Sequence, residues 1–366
     1  MKVVDQNLLS GKLLLGLLFT AGWVLQGDEP IASKADYKGM VLIPGGSFQM
    51  GGDPGLMGGG SQSHNTSYPV HEVFVDAFWM DKKEITNQQF ADFVEATGYV
   101  TFSERPLPED SIRALRSAGN RRIQELELIL DHVTGQDREA VLDLIKRITE
   151  AMQFGESAGA IVFLEPEDAL YGTQDYTQWW RIRPGASWRC PDGPGSTWLG
   201  REDHPVVNVT QEDAAAYAAW AGKRLPTEAE WERAARGGLE RAPYVWGKNF
   251  SPNGKGVWMA NIWQGVWPYE NTAEDGFVAT APVGSFPSNA YGLYDMAGNV
   301  WEIVADRYHP NTYKMRVGRT VINPVGPDLK GLGVPESAGP VFVTRGGSFL
   351  CSDSWCRGYQ PGSRQS

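Results

Sequence analysis

Glycine and proline are the residues that most constrain how this chain folds. The 366 residues include 43 glycines, 23 prolines and 14 tryptophans. Glycine permits turns that other residues avoid, proline interrupts helices and strands, and large aromatic side chains can pin irregular loops. The composition therefore predicts many irregular loops rather than long helices. The length predicts one large domain, or one domain with an insertion.

The charge of the chain excludes one class of partner. The formal net charge is -11, and no basic stretch is present that could neutralise phosphates. Nucleic acid is therefore not expected as a partner, whereas cationic peptides and divalent cations are compatible with the charge. The sequence also lacks the phosphate-binding and serine-hydrolase motifs, which removes support for nucleotide binding and serine hydrolysis.

The N-terminus predicts a targeting segment at residues 1–27, followed by a linker at 28–39. Lys2 and Lys12 precede an apolar run from Leu13 to Leu25. This run is too short for an ordinary transmembrane helix and has the length of a secretory signal. A buried helix of the fold is the alternative, and cleavage or retention as an anchor stays open. Export to a periplasmic or extracytoplasmic location is the favoured interpretation.

The main domain is predicted at residues 40–366, beginning with short strands at 40–52 and a strand pair at 71–86. A helix that ends at Gly98 follows, with Phe90, Phe93 and Val94 on one face. Residues of about 109–152 have dense charge and two apolar helical stripes, which predicts an inserted helical hairpin.

Two further helices are predicted in the second half of the chain. The first runs from about Gln211 to Ala221. Before the second, Thr227 and Glu230 have the spacing of a capping box, and Gly237 has the position of a C-cap glycine.

Cys351 and Cys356 lie five positions apart in the run RGGSFLCSDSWC, beside a Gly-Gly turn. Such a pair forms either a disulfide or a site for a soft metal, above all Cu(I). The third cysteine, Cys190, is interpreted as a lone thiol. The five histidines are scattered without the spacing of a zinc or iron site.

Several motifs occur in order along the chain: GKRLPTEAEWERAARGG, ANIWQG, EDGF, GLYDMAGNVWE and RGGSFLC. With these motifs the chain resembles the formylglycine-generating enzyme family, also called sulfatase-modifying factors. The resemblance covers roughly Met40 to Ser366 outside the helical insertion. It implies an α+β fold with little regular secondary structure, related to C-type lectins.

The resemblance also implies an activity. Family members oxidise one cysteine of a sulfatase, within a Cys-x-Pro-x-Arg sequence, to Cα-formylglycine with O2. Cys351 and Cys356 match the active pair that would hold Cu(I) as thiolates. Ser348 matches a serine that would hydrogen-bond the reacting groups, with a simple turn residue as the alternative. Arg364 matches an arginine that lines the substrate groove.

Trp179 and Trp180 are candidate walls of the peptide groove, with core packing as the alternative. The expected partners are a sulfatase polypeptide, O2 and a thiol reductant, and a monomer is the expected assembly.

Structural calcium is the second implied cofactor. The first set would use the side chains of Asn261 and Asp275 with the carbonyls of Ile262 and Phe277. A second set follows the same family pattern: Asp295, Gly298, Val300 and Glu302. Oxygen ligands of this kind suit a hard cation.

Two departures from the family pattern set the alternatives. The chain stops at GSRQS, whereas family members continue to a closing Gly-Phe-Arg strand, which predicts either a missing core strand or a fragment. The helical insertion predicts a restriction on which sulfatases dock. A non-catalytic lectin-like binding module with a disulfide is the main alternative function. An iron-dependent enzyme that forms sulfur–carbon bonds is a second alternative, but it needs a histidine-rich site that the sequence does not supply.

Overall fold

The computed structural model describes residues 1–5, 37–52, 66–152, 158–166, 178–252, 254, 256–335 and 339–366. The apolar run from Leu13 to Leu25 and most of the predicted linker lie outside these ranges, so export stays a prediction. Within these ranges, no helix combines the length and the apolar character needed to cross a membrane. The chain divides into two units, of which the first comprises Met1–Thr86, Ala214–Trp267 and Asn271–Ser366 and the second comprises Asn87–Asp213 and Pro268–Glu270.

The regular elements are short. The helices are α1 (Asn87–Thr97), α2 (Glu109–Leu130), α3 (Gln136–Met152), α4 (Gln211–Trp220) and α5 (Glu228–Arg236). The strands are β1 (Val4–Asp5), β2 (Met40–Ile43), β3 (Gly46–Met50), β4 (His71–Val75), β5 (Phe78–Asp81), β6 (Ala160–Phe163), β7 (Trp180–Arg183), β8 (Lys223–Arg224), β9 (Gly265–Val266), β10 (Glu270–Asn271), β11 (Glu302–Arg307), β12 (Val321–Ile322) and β13 (Phe342–Arg345). This mixture confirms the predicted α+β fold with little regular secondary structure.

The second unit contains the predicted helix that precedes Gly98 and the predicted helical hairpin. Helix α1 buries Phe90, Phe93 and Val94, which confirms its predicted apolar face. Helices α2 and α3 pack together as a hairpin, so the predicted pair of helices is also confirmed. Strands β6 and β7 form an antiparallel pair in the same unit.

The first unit contains three small sheets. Their strand orders are β2-β5-β1-β8, β12-β4-β3 and β11-β13. Strands β4 and β5, which the alternation at 71–86 predicted as a pair, are both present but belong to different sheets. The chain therefore passes from one sheet to the other between Val75 and Phe78. Buried residues of both sheets belong to one apolar cluster.

Strand β1 lies in the interior of the four-stranded sheet, between β5 and β8. Val4 pairs with Met80 on one side and with Arg224 on the other, and it is completely buried. This differs from the predicted boundary of the targeting segment at residue 27, because Met1–Asp5 is part of the fold. At the other end of the chain, Gln365 forms a bridge with Thr344 of β13.

Helix α5 packs at the centre of the first unit. The Thr227 hydroxyl accepts from the Glu230 N–H at 3.2 Å, and Glu230 Oε2 accepts from the Thr227 N–H at 2.7 Å, which confirms the capping box. Gly237 ends the helix in the left-handed conformation, as predicted. Trp231 of this helix is completely buried in the main apolar cluster, together with Tyr313 and Tyr359.

The turn after β13 requires glycine. Gly347 has φ 71°, a conformation that favours glycine, and an added Cβ would lie 2.5 Å from the Tyr359 backbone nitrogen. The chain therefore turns sharply here, with the Gly347 backbone packed directly against Gly358 and Tyr359.

Asp306 of β11 makes the stability of the fold depend on pH. Its Oδ2 accepts from the Glu228 N–H at 2.9 Å, and burial together with the Glu228 carboxylate raises the pKa of Asp306 to about 7. The folded state therefore holds this proton more tightly than the unfolded chain. The resulting stabilisation is present at acid pH and is lost as the pH rises through about 7.

We expect the difference in the free energy of unfolding between Asp306→Asn and the parent to shift by about 2–3 kcal/mol in favour of the variant when the pH rises from 5 to 8. The amide keeps the acceptor for the Glu228 N–H and cannot ionise. Denaturant unfolding at both pH values measures this difference. The exposed Glu240 serves as control, and Glu240→Gln should leave the pH dependence of the parent unchanged. An equal effect of Asp306→Asn at both pH values would contradict the prediction.

We expect Gly347→Ala to destabilise the fold by a few kcal/mol more than Gly292→Ala. Gly292 has φ 79° and nothing within 4 Å of an added Cβ, so its variant bears only the conformational cost, about 1–2 kcal/mol. Gly347→Ala adds a collision with the Tyr359 backbone. Urea unfolding of the two variants separates the contributions, and equal losses would show that the Tyr359 segment moves away without cost.

Candidate active site

Arg345 and Arg364 flank the segment that carries both cysteines, and both bind Glu228 of α5. Arg364 Nε donates to Glu228 Oε1 at 2.7 Å, and Arg345 Nη1 donates to the same oxygen at 3.1 Å. The Tyr313 hydroxyl donates to it as well, at 3.1 Å. All of these side chains are buried. One helix therefore holds both ends of the cysteine segment.

Glu232 forms the second half of this network, one turn further along α5. Its Oε2 accepts from Arg345 Nη2 at 2.5 Å, and its Oε1 accepts from Arg236 Nη2 and from the Gly51 N–H, each at 2.7 Å. Burial alone would raise the pKa of Glu228 and of Glu232, but the guanidinium groups outweigh burial and hold both pKa values below the ordinary range. Both carboxylates are therefore ionised at neutral pH.

Cys351 and Cys356 are brought together and form a disulfide, with their Cα atoms 4.6 Å apart. Cys351 is buried in the main apolar cluster, whereas Cys356 is half-buried at its edge. The Cys351 N–H donates to the Ser348 carbonyl at 2.9 Å, and the Cys351 carbonyl accepts from the Trp263 N–H at 2.9 Å. One sulfur is thus fixed inside the fold, and the other lies toward the surface.

The chemistry of this pair fits a soft metal. After reduction, two thiolates a short distance apart are donors that Cu(I) prefers. Among the described residues, no group of three or more His, Cys, Asp and Glu side chains is arranged to hold a metal ion. A two-sulfur site is therefore the arrangement to test for copper.

The other predicted site residues have different outcomes. Ser348 Oγ accepts from the Leu350 N–H at 3.2 Å, so the serine shapes the turn, and its predicted bond to reacting groups stays a prediction. The Arg364 side chain is completely buried against Glu228, and its predicted position in the substrate groove stays a prediction. Trp179 is buried, as its alternative of core packing predicts, and Trp180 is half-buried on β7. Their role as groove walls stays a prediction.

A row of tryptophans lies beside the cysteines, and no motif in the sequence indicated it. The Trp263 and Trp267 rings meet edge to face at 4.9 Å, and the Trp267 and Trp355 rings stack at 5.8 Å. Trp355 is one residue before Cys356 and is partly exposed. The surface next to the half-buried sulfur is therefore aromatic and suited to contact with a peptide.

Asn299 is another residue of the site that was not predicted from the sequence. It is buried with φ 58°, and its carbonyl accepts from the Phe349 N–H at 2.9 Å. Its Oδ1 accepts from Asn261 Nδ2 at 3.1 Å, and its Nδ2 donates to Glu84 Oε2 at 2.7 Å. One side chain thus joins the first predicted calcium set, a buried carboxylate and the turn before Cys351. The position of Asn299 inside the GNVWE motif was its only sequence signal.

The first predicted calcium set has one free ligand oxygen and two that share a donor. Asn261 Oδ1 is buried and has no hydrogen-bond partner among the described residues. The Ile262 carbonyl and Asp275 Oδ2 both accept from Gln264 Nε2, so these two oxygens converge on one position. The Phe277 N–H donates to Asp275 Oδ1 at 2.9 Å, which brings that residue beside the set. Hard oxygens around one position fit calcium.

The second predicted set contains a different cation. Asp295, Gly298, Val300 and Glu302 lie on one segment, but Glu302 Oε1 is 2.5 Å from Lys2 Nζ, and both side chains are buried. Burial would lower the pKa of Lys2, but Glu302, with Glu84 and Asp295, outweighs burial and raises it. These residues as they stand do not fit calcium, because an ammonium group is bound to the carboxylate that would bind the metal.

Burial, followed by the nearby Asp295 carboxylate, raises the pKa of Glu84 to about 8. Glu84 was not identified from the sequence, which gives no sign that it lies beside Asp295.

Comparison with known proteins shows the family of the chain. The family model described as sulfatase-modifying factor enzyme 1-like domain matches residues 27–366. A formylglycine-generating enzyme of Thermomonospora curvata is 40% identical over 328 residues, which is 89% of this chain and 88% of the relative. The enzyme of the same name from Streptomyces coelicolor is 39% identical over 337 residues, 92% of this chain and 87% of the relative.

A mouse relative named inactive C-alpha-formylglycine-generating enzyme 2 is 36% identical over 299 residues, 81% of this chain and 78% of the relative. Relatives that are 36–40% identical therefore include proteins named as formylglycine-generating enzymes and a protein named as inactive. The family match covers nearly the whole chain and includes the cysteine segment, so the chain belongs to the sulfatase-modifying factor family of formylglycine-generating enzymes.

Proposed function

We propose that this chain oxidises one cysteine of a sulfatase-type protein, within a Cys-x-Pro-x-Arg sequence, to Cα-formylglycine. The observation that carries the proposal is the pairing of Cys351 with Cys356 at a site where one sulfur is buried and the other lies near the surface. The relatives named formylglycine-generating enzyme support the reaction. Cu(I) as cofactor, O2 as oxidant and an exported location are parts of the proposal, with the N-terminal segment retained because Met1–Asp5 is part of the fold.

The reaction balances with a thiol reductant. The substrate cysteine loses two hydrogens to give a thioaldehyde, and water then replaces the sulfur to give the aldehyde and hydrogen sulfide. O2 is reduced to water, with two further electrons and two protons from the oxidation of two reductant thiols to a disulfide. Bound Cu(I) would supply the electron transfer to O2.

The residues of the chain prepare the site for this chemistry. The Cys351–Cys356 disulfide must first be reduced, because only free thiolates bind a soft metal. The turn held by Gly347 and Asn299 then keeps Cys351 in the apolar cluster, where water is excluded. Cys356 and the adjacent Trp355 face the surface from which a substrate peptide would arrive.

A non-catalytic binding module is the second candidate function. The disulfide in this structure favours it, since a structural cross-link needs no metal. The mouse relative of similar sequence is named as inactive, which gives this candidate a precedent within the family. The two candidates differ in one respect that can be measured: only the enzyme requires the two sulfurs to be reduced.

We expect the reduced, Cu(I)-loaded protein to convert the cysteine of a Leu-Cys-Thr-Pro-Ser-Arg peptide to the aldehyde in air. Cys351→Ala and Cys356→Ala should lose both copper uptake and conversion to background, because each removes one of two ligands. Cys190→Ala is the matched control and should keep both. Competition with a Cu(I) chelator and mass spectrometry of the peptide measure the two quantities. A folded, copper-loaded parent without conversion would favour the binding module.

Calcium at the first set is a further part of the proposal. Asn261 and Asp275 with the Ile262 and Phe277 carbonyls would hold it, and the ion would replace the Gln264 amide at the position where two of the ligand oxygens converge. An ion that binds only the folded chain stabilises it, by about 2.7 kcal/mol when its concentration is 100 times the Kd.

We expect Asp275→Asn to weaken calcium binding by more than about tenfold and to remove most of the rise in Tm that calcium gives the parent. Glu274→Gln is the control, because Glu274 is the exposed neighbour and is not a predicted ligand. Thermal unfolding with calcium and with a chelator provides the measurement. An equal rise in Tm for the parent and for Asp275→Asn would exclude calcium at this set.

A further inference from the structure

Lys2 is a completely buried lysine with a specific partner. Its Nζ lies 2.5 Å from Glu302 Oε1, and neither side chain has appreciable exposure. Charged lysines are rarely found so deep in a protein unless they are paired, because leaving water is costly for an ammonium ion. The buried position of Lys2 therefore depends on its pairing with Glu302.

The backbone around Lys2 is held on both sides. The Asp81 N–H donates to the Val3 carbonyl at 3.0 Å, and the Ile85 N–H donates to the Met1 carbonyl at 2.7 Å. Val4 pairs with strands β5 and β8. These bonds fix the backbone on both sides of Lys2, which places the start of its side chain beside Glu302.

Three carboxylates act on this one ammonium group. Glu302 is in contact with it, and Glu84 and Asp295 attract it electrostatically. Each carboxylate has one hydrogen-bonded oxygen: Asp295 Oδ2 accepts from the Gly284 N–H and Glu84 Oε2 from Asn299. Glu84 Oε1 and Glu302 Oε2 are buried without a hydrogen-bond partner among the described residues. Burial raises the pKa of Glu84 and of Asp295, and the Met1 α-amino group, whose pKa burial lowers, lies beside the same three acids. The acid that is in contact with the Lys2 ammonium group is Glu302.

We infer that Lys2 is the resident cation of the Glu84, Asp295 and Glu302 cluster and excludes calcium from the second predicted set. Asp295 and Glu302 both belong to that set, and Glu302 cannot give the same oxygen to the ammonium and to a metal. A divalent ion placed among these carboxylates would also be repelled by the fixed positive charge of Lys2. The inference builds on the calcium proposed for the first set, but it concerns only the second.

The experiment counts bound calcium per chain by metal analysis after equilibrium dialysis against calcium chloride. We expect Lys2→Met to bind one more calcium ion than the parent and to gain more in Tm from calcium. Methionine keeps the length and apolar part of the side chain and removes the charge. Lys38→Met replaces an exposed lysine and should leave the parent count unchanged. A folded Lys2→Met variant with the same count as the parent overturns the inference.

A double variant keeps the test decisive when Lys2→Met does not fold. Lys2→Met/Glu302→Gln replaces the buried pair by neutral side chains of similar size, which removes the uncompensated charge. If Lys2 is the resident cation, this double variant binds as many calcium ions as the parent. A count lower by one would show that Glu302 holds calcium in the parent and would overturn the inference.

Asp275→Asn distinguishes this inference from the calcium proposal. Loss of one calcium ion in that variant supports the first set, whereas no change removes that proposal. The difference between the parent and Lys2→Met tests the second set independently of either result.

Discussion

The buried network of carboxylates and guanidinium groups on helix α5 is the interaction on which the site depends. Glu228 binds Arg345, which precedes the cysteine segment, and Arg364, which follows it. Removing one member of a buried ion pair typically costs about 3–5 kcal/mol, because the remaining charge loses its partner inside the protein. The cysteine segment itself has no regular secondary structure, so its position is determined by these two ends.

The same network explains why the Arg364 side chain is buried. An arginine near reactive cysteines can bind a substrate carboxylate only if its guanidinium group is free. Glu228 is buried and ionised, and its two guanidinium partners are what keep it so. Arg364 therefore belongs to the folded core, and the proposed contact with a substrate peptide is assigned to the surface around Trp355 and Cys356.

Local signals in the sequence predicted local structure, and long-range contacts decided the rest. The capping box at Thr227, the apolar face of α1 and the helical hairpin depend on neighbouring residues, and all were predicted. The burial of Trp179 and the pairing of β1 with β5 and β8 depend on residues far apart in the chain. No periodicity or spacing records such partners, and the alternation at 71–86 could not show that β4 and β5 enter different sheets.

The candidate site divides in the same way. Cys351 and Cys356 were predicted because their spacing and flanking glycines are local. Asn299, Glu84 and Lys2 were missed as parts of one arrangement because they come from three separate segments. Their chemistry appears only when the fold places an amide, a carboxylate and an ammonium group around residues 295–302.

A fold with short strands must satisfy its backbone amides by other means, and here carboxylates do so repeatedly. Glu232 accepts from the Gly51 N–H, Asp306 from the Glu228 N–H and Asp295 from the Gly284 N–H. Each such bond places a negative charge inside the protein, because the acceptor is an acid rather than a carbonyl. The interior therefore needs compensating cations or raised pKa values.

The negative charge of the buried acids is compensated in three different ways. Guanidinium groups neutralise Glu228 and Glu232, protonation is favoured at Asp306, and the Lys2 ammonium binds Glu302. Calcium would be a fourth solution at Asp275, where the side chain already accepts from the Ile262 and Phe277 amides. The solution at each position follows from the groups within reach: Glu228, Glu232 and Glu302 contact cationic side chains, and Asp306 accepts from a backbone amide beside the Glu228 carboxylate. Calcium is proposed at Asp275, where hydrogen-bond donors but no cationic side chain contact the carboxylate.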